Sequence, residues 1–360
     1  MSYGVLEFDG RLRALIDLLS ETGELQVVAC SELPSAPGRH YFPSGPGYLG
    51  LRHYLRFLVF SVHSLWRLRR SAEVVAVDNM FAVLPVVCLL PWLKSSCLVQ
   101  DVRELYLLEE MPTLKSRTIN RLETYLMRRA QLVICASEYR ADVMHERYNL
   151  RERPVVFENM RHLEGPADVS ELDSKYEGCF SNRFNLVATG GWSISRRTLD
   201  LIDAVAHLGD EFALYIAGSG PVADERLVRG LIAQRGCKAV LLGKMAETEL
   251  RYVLGRCDVG IVSYHRGDAN NEYCASGKVY EYLAAGLPIV TTENPPLRDM
   301  CERYGVGVAD DTFVRGISEV ATNLSRFKSA VSAFVRAGGT QPRREEVLSE
   351  ILRRLERCGA

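Results

Sequence analysis

Lys278 and Glu281 stand three residues apart in the run Ser276-Gly277-Lys278-Val279-Tyr280-Glu281-Tyr282-Leu283-Ala284-Ala285-Gly286-Leu287-Pro288-Ile289-Val290. On a helix that spacing puts both side chains on one face. An ammonium near the first turn can neutralise a phosphate, and a carboxylate one turn later can accept two hydrogen bonds from a ribose diol. Ser276 and Gly277 fall where the helix would be capped, so free backbone N–H groups and the positive end of the dipole would face an anion such as a diphosphate. Ala284, Ala285 and Gly286 predict a tight helix stop, and Pro288 opens an apolar strand. The same spacing also fits a plain surface Lys–Glu ion pair.

Two glycine loops follow strand-like runs. Gly190 and Gly191 come after Asn185-Leu186-Val187-Ala188-Thr189, and Arg196 and Arg197 precede a helix starting near Thr198. Glycines there permit close approach of the backbone to phosphate, and guanidinium groups supply charge-assisted hydrogen bonds; two solvated arginines at a helix start fit the pattern too. Gly218-Ser219-Gly220-Pro221-Val222-Ala223 formally matches the dinucleotide fingerprint. A nicotinamide site would want an acidic residue about twenty positions on, where Gly243-Lys244-Met245 stands instead.

The run opening at Glu281 resembles the "E-x-L-A-x-G-x-P-V-V" donor segment of GT-B glycosyltransferases of family 4, group 1, and Ile216-Ala217-Gly218-Ser219-Gly220-Pro221 resembles their "I-x-G-x-G-P" loop. The resemblance implies that Glu281 binds the donor ribose. It implies that Ser276, Gly277, Gly190, Gly191, Arg196, Gly218, Gly220 and Gly243 border the nucleotide and its phosphates. It gives Arg197 and Lys278 the leaving phosphate. Three departures stand out. Trp192 replaces an arginine, with Arg197 on the family's lysine and Thr198 on its glycine. Tyr273, with Glu272 beside it, occupies the place of a sugar-binding glutamate eight residues before Glu281. Asp101-Val102-Arg103-Glu104-Leu105 has Arg103 where the related "D-x-H-E-L" segment has histidine. Arg103 cannot shuttle a proton at neutral pH but can hold an anion. Asp9 and Gly10, at the first strand–helix turn, and Glu104 are the acceptor-side candidates, although Asp9 also fits a helix cap. The family implies no metal and no cofactor, the nucleoside-diphosphate sugar being the donor substrate, UDP-linked as the commonest choice. It also implies retention of anomeric configuration. No Asp-x-Asp occurs in the chain.

These residues need elements to carry them. The first half alternates strand-like runs (Val5 to Phe8, Leu25 to Cys30, Val74 to Val77, Ser96 to Gln100, Leu132 to Ala136, Val155 to Asn159) with helical ones (Arg11 to Leu19, Phe81 to Leu90, Leu122 to Arg129). Pattern lapses from Leu163 to Asn182, which reads as a linker, and a second alternation follows. The expected class is α/β, with two Rossmann-like domains facing a cleft as a GT-B fold requires. Residues 1–165 form the acceptor domain and 184–335 the nucleotide-sugar domain; 340–360 form a helix returning to the first.

With 44 basic and 45 acidic residues among 360, net charge is −1, which gives no argument for nucleic acid. The ten cysteines make no C-x-x-C pair or metal cluster. Cys30, Cys88, Cys135 and Cys257 lie beside apolar runs and are expected to be buried, reduced thiols of a cytoplasmic protein. The run from Phe81 to Leu93 is too short to span a bilayer and reads as a buried helix. From Leu33 through Ala72 there is no acidic residue, while Arg39, Arg52, Arg56, Arg67, Arg69 and Arg70 are present around an apolar helix. Such a segment, 52–70, suits either a core helix or peripheral contact with the inner face of the plasma membrane and a lipid-linked acceptor. The leading function is sugar transfer from a nucleotide sugar to a glycan, lipid-linked or small-molecule acceptor in polysaccharide or glycoconjugate biosynthesis. A nucleotide-sugar epimerase of the same fold and a non-catalytic nucleotide-binding subunit are the other classes; His207 and His265 form no evident acid–base pair for the former.

Overall fold

A computed structural model describes residues 1–6, 9–44, 50–93, 96–160, 163, 165, 169–180 and 183–357. The chain divides into one unit of Met1–Asn159 with Pro342–Ala360, and a second of Met160–Gln341.

In the first unit the strands are β1 (Val27–Ser31), β2 (Arg39–Pro43), β3 (Val74–Asp78), β4 (Cys97–Val102), β5 (Leu132–Cys135) and β6 (Val155–Val156), and every pairing between them is parallel. Residues 2–5 bridge in parallel to β3 at Asp78 and to β1 at Cys30. The Ser2 N–H donates to Val28 O at 2.9 Å, and the Asp78 N–H to Met1 O at 2.8 Å, so this opening segment sits between β1 and β3. The expected strand from Val5 to Phe8 therefore pairs earlier, over Ser2 to Val5; Glu7 and Phe8 lie outside the described residues. In chain order the sheet runs 3-2-1-4-5-6-7, which reverses at the first strand.

Helices cover this sheet for local reasons. Asp9 caps helix Gly10–Ser20 by accepting from the Leu12 N–H at 2.9 Å, and Leu12, Leu15, Leu18 and Leu19 are its buried side. Thr113 and Ser116 form a reciprocal cap on helix Leu114–Met127. Helix Arg344–Glu356 belongs to the first unit. Its Val347, Ile351 and Leu355 pack with Leu15, Leu18, Leu132 and Ile134. Arg343 before it bonds Glu138 at 2.8 Å and Glu158.

Two expectations about burial differ here. Cys30, Cys135 and Cys257 are buried, but Cys88 is exposed, on the outward side of the short helix Val83–Leu89. That helix buries Val83, Pro85, Val86 and Leu89, while Phe81 and Trp92 at its flanks face out. The run is thus half core and half surface.

The second unit has β7 (Phe184–Thr189), β8 (Phe212–Ala217), β9 (Ala239–Gly243), β10 (Val259–Val262), β11 (Ile289–Thr291) and β12 (Gly307–Ala309). They form one parallel sheet in the order β12-β11-β10-β7-β8-β9. This is the doubly wound order 3-2-1-4-5-6, with its switch point between β7 and β10, where ligands bind at the carboxyl ends of the strands. The stretch from Leu163 is part of this unit: Leu163 and Tyr176 are buried in its core, and Ser170–Lys175 is helical.

Candidate functional site

Helix Gly277–Ala284 reaches the switch point of the second unit because its interior side is fixed to both central strands. The Tyr282 hydroxyl accepts from the Thr189 N–H at 2.8 Å, lies 2.9 Å from the Thr189 hydroxyl, and donates to Ile261 O at 3.4 Å. A Cβ at Gly260 would lie 2.2 Å from the Tyr282 ring, so only glycine lets the helix sit this close to β10. The helix ends in a Schellman motif. Gly286 has φ +79°, its N–H donates to Leu283 O at 2.9 Å, and the Leu287 N–H donates to Tyr282 O at 2.9 Å.

At the other end of this helix, Ser276 is the N-cap, yet its side chain makes no capping bond. Its Oγ is buried with no hydrogen-bond partner. A buried hydroxyl beside the first free N–H groups of a helix is a costly arrangement unless a ligand completes it.

Lys278 turns from the first helical turn toward the β7 loop. Gly190 has φ +84°, which favours glycine, and a Cβ there would lie 2.9 Å from Lys278 Cε and 3.4 Å from Nζ and push the lysine aside. The Lys278 ammonium is 6.0 Å from the centroid of Tyr264, and the Arg196 guanidinium is 5.5 Å from the same ring. The Ser263 hydroxyl ties the Arg196 carbonyl to β10 at 2.8 Å, and the Tyr264 N–H bonds Thr292 Oγ1 at 3.1 Å. The pKa of the Lys278 ammonium is lowered to about 8, first by burial and then by Arg196, with Glu281 pulling the other way. Glu281 itself is buried one turn on. Two cations with insufficient counter-charge therefore share the carboxyl edge of β7 and β10.

The two glycine loops pack on each other. A Cβ at Gly218 would fall 1.9 Å from Gly190 O, and one at Gly220 would fall 2.4 Å from the Trp192 ring. The Trp192 N–H donates to Ser219 O at 3.3 Å, and the Gly218 N–H to Gly243 O at 2.7 Å. Gly218 and Gly220 thus make room for the β7 loop, with Gly191 between Gly190 and the buried Trp192, while Gly243, at φ +78°, holds Gly218 through its carbonyl.

Arg197 goes elsewhere. It adopts the left-handed conformation (φ +61°), which carries its guanidinium to Asp200 at 2.8 Å and to Asp311 at 3.3 Å. Asp311 also accepts from Arg266 and from the Glu293 N–H at 3.0 Å. Glu272 closes the short helix Ala269–Glu272, capped by Asp268, and Tyr273 follows; both are partly buried. Asn294, fully buried, holds this loop by donating to His265 O at 3.3 Å and Asn271 O at 2.8 Å.

In the first unit the acceptor-side candidates form a different cluster at the carboxyl edge of its sheet. Arg103 donates to both oxygens of Asp78 at 2.5 Å and pairs with Asp9. Arg11 donates to both oxygens of Asp101 at 3.0 and 2.5 Å and to Phe157 O at 2.8 Å. Burial works against the Arg103 charge, but Asp78 and Asp9 outweigh it and raise its pKa. Burial pushes the Asp78 carboxyl up to about 6, with Arg103 pulling it down. Gly10 opens the helix capped by Asp9, and Glu104 is exposed, 3.5 Å from the buried Arg140.

Sequence reasoning had passed over Tyr264, Thr189, Asp311 and Asp78. Tyr264 and Asp78 do carry a signal, since each stands at the end of an apolar strand run where a doubly wound sheet binds ligands. Among the described residues no group of three or more His, Cys, Asp and Glu is placed to hold a metal ion. No helix among them is long and apolar enough to cross a membrane.

No curated protein sequence matches this chain. Residues 183–324 match the family model described as glycosyl transferases group 1. Three solved structures are similar along nearly the whole chain. HepE of Anabaena in complex with UDP and glucose has a TM-score of 0.72 at 16% identity, over 97% of this chain and 96% of that one. Sucrose-phosphate synthase of Thermosynechococcus elongatus has 0.67 at 14%, over 98% and 94%. WaaG, a glycosyltransferase involved in lipopolysaccharide biosynthesis, has 0.67 at 13%, over 98% and 96%. At such identities the likeness is one of fold, and the family match is confined to the second unit. Residues 183–324 are thus similar to the group 1 glycosyltransferases, and the chain has the GT-B fold.

Proposed function

We propose that the chain transfers a glycosyl group from a nucleoside-diphosphate sugar, UDP-linked by preference, to a glycan or lipid-linked acceptor. The observation that carries this is the pairing of Lys278 and Arg196 over Tyr264, beside the unpartnered Ser276 hydroxyl at the N-terminus of helix Gly277–Ala284. That arrangement suits a diphosphate. HepE, solved with UDP and with UDP-glucose, supports a uridine donor by fold analogy.

In this reading the N–H groups of Gly277 and Lys278, the Ser276 hydroxyl, the Lys278 ammonium and the Arg196 guanidinium hold the diphosphate. Gly190 and Gly191 let it approach. Glu281 accepts from the ribose diol, and the loop of Gly218, Gly220 and Gly243 supports the nucleotide from beneath. Arg197, tied to Asp200 and Asp311, keeps the Arg196 backbone in place and acts on the phosphate through that placement. Glu272 and Tyr273 take the sugar. Breaking the anomeric bond leaves positive charge on the sugar and negative charge on the departing phosphate. Fixed cations and N–H dipoles at that phosphate lower the barrier. Asp9, Gly10, Arg103 and Glu104 belong to the acceptor side, with Arg103 a fixed positive end of an ion-pair network. Retention, metal independence, cytoplasmic location and a place in polysaccharide or glycoconjugate assembly follow from the family resemblance.

The test is a panel of UDP-, GDP- and TDP-sugars incubated with the purified chain, with release of free nucleotide as readout. Release from one base class, lost in Lys278→Met, is the expected result. Tight nucleotide binding with no release from any donor would favour a non-catalytic binding subunit.

A further inference from the structure

Helix Leu51–Leu68 shows three faces rather than two. At about 100° per residue, Phe57, Ser61, Ser64 and Leu65 form one side, and all four are buried in the first unit. Leu51, Leu55, Val59 and Trp66 form a second side, and all four are exposed, Val59 to 71%. Arg52, Arg56 and Arg67 form the third, next to the apolar stripe and also exposed, and Arg70 is exposed in the turn that follows the helix. An exposed stripe of this kind on an otherwise well-packed helix marks a surface that meets something apolar.

The stripe does not stop at the helix. Trp66 packs edge-on against Trp92 at 5.6 Å, and Trp92 is 54% exposed. The Arg69 guanidinium lies 3.6 Å from the Trp66 ring. Phe81, also exposed, is joined to the helix by the Tyr54 hydroxyl, which donates to Phe81 O at 3.0 Å. Between Leu33 and Gln100 the sequence holds only two acidic residues, Glu73 and Asp78, and Asp78 is buried against Arg103. Indoles beside arginines, with carboxylates kept away, are the chemistry of an anionic lipid interface. A second copy of the chain fits less well. In a two-fold dimer the same face meets itself, and these arginines would confront one another.

We propose that helix Leu51–Leu68, with Phe81 and Trp92 beside it, docks the first unit on an anionic lipid leaflet. Leu51, Leu55 and Val59 enter the acyl boundary, Trp66 and Trp92 lie at headgroup depth, and Arg52, Arg56, Arg67 and Arg70 meet lipid phosphates. What the docking serves, access to a lipid-linked acceptor, rests on the proposed function; the docking itself does not.

The experiment is flotation of the full chain with phosphatidylglycerol–phosphatidylcholine vesicles and with pure phosphatidylcholine vesicles. It is run at low and high salt, for the unmodified chain and two double variants, Leu55→Ser/Val59→Ser and Arg52→Glu/Arg56→Glu. Expected are binding to the anionic vesicles only, weakening with salt, and a loss of about tenfold or more in each double variant. A blue shift of tryptophan emission on vesicle addition, removed by Trp66→Ser/Trp92→Ser, is expected alongside. Unchanged melting temperature and UDP affinity in the variants would show that fold and donor site are intact, separating failure here from failure of the functional reading. Binding equal for both lipid types, or double variants that float like the unmodified chain, would overturn the proposal. So would self-association abolished by Leu55→Ser/Val59→Ser without any vesicle binding.

Discussion

The carboxyl edges of the two sheets make an instructive contrast. Both units wind their sheets outward from a central first strand, and both collect charge where the direction reverses. In the first unit every cation named is paired, Arg103 with Asp78 and Asp9 and Arg11 with Asp101, three carboxylates to two guanidinium groups. In the second, Lys278 and Arg196 share an aromatic ring, and Ser276 keeps an unpartnered hydroxyl. The 3-2-1-4-5-6 order common to both sheets supplies the same location twice. In the proposed reading only the edge with Lys278 and Arg196 takes an anion, and topology alone would not have distinguished the two.

The largest expected effect breaks the second edge. Lys278→Met should lower glycosyl transfer by about 10²- to 10³-fold by removing charge at the leaving phosphate, measured as initial rates at saturating acceptor. It should leave the ligand-free protein at least as stable, because a desolvated ammonium is lost with it. Breaking the first edge should act on folding instead. Arg103→Ala strands the buried Asp78 carboxyl and should cost roughly 3–5 kcal/mol in denaturant unfolding, with UDP affinity unchanged.

Smaller changes sharpen the contrast. Gly190→Ala forces Lys278 aside and strains a residue at φ +84°; UDP affinity should drop by roughly tenfold, by calorimetric titration. The pH dependence follows from the lowered Lys278 pKa of about 8. The protonated form binds diphosphate, so affinity holds below that value and falls as pH rises through it, by about tenfold per pH unit in the limit. Lys278→Arg should flatten this profile, since a guanidinium stays charged. The smallest effect is at the ribose: Glu281→Ala should weaken UDP binding by about tenfold or less and inorganic pyrophosphate binding by less than that, measured well below the Lys278 pKa so that the ammonium stays charged.

Much of the second unit was legible in sequence because local chemistry dictates it. Gly286 and Pro288 announced the helix stop and the following strand, and both stand where expected. Strand β2 was not legible: Arg39-His40-Tyr41-Phe42-Pro43 has no apolar run, and its place comes from pairing with β1 at the sheet edge. The first edge was half legible. Asp9, Arg103 and Glu104 stood out by their motif, but Asp78, which decides how Arg103 is used, lies 25 residues upstream of it at the end of another strand. Arg197 likewise looked like a phosphate ligand by spacing. Its left-handed backbone and its partner Asp311, 114 residues away, are tertiary facts.

The contrast between the edges is tested most directly by calorimetric titration of UDP into the full chain, Lys278→Met and Arg103→Ala in parallel. Saturable one-site binding that is lost in Lys278→Met and kept in Arg103→Ala is the predicted result. Binding that survives Lys278→Met and disappears in Arg103→Ala would place the anion at the first edge and contradict the account.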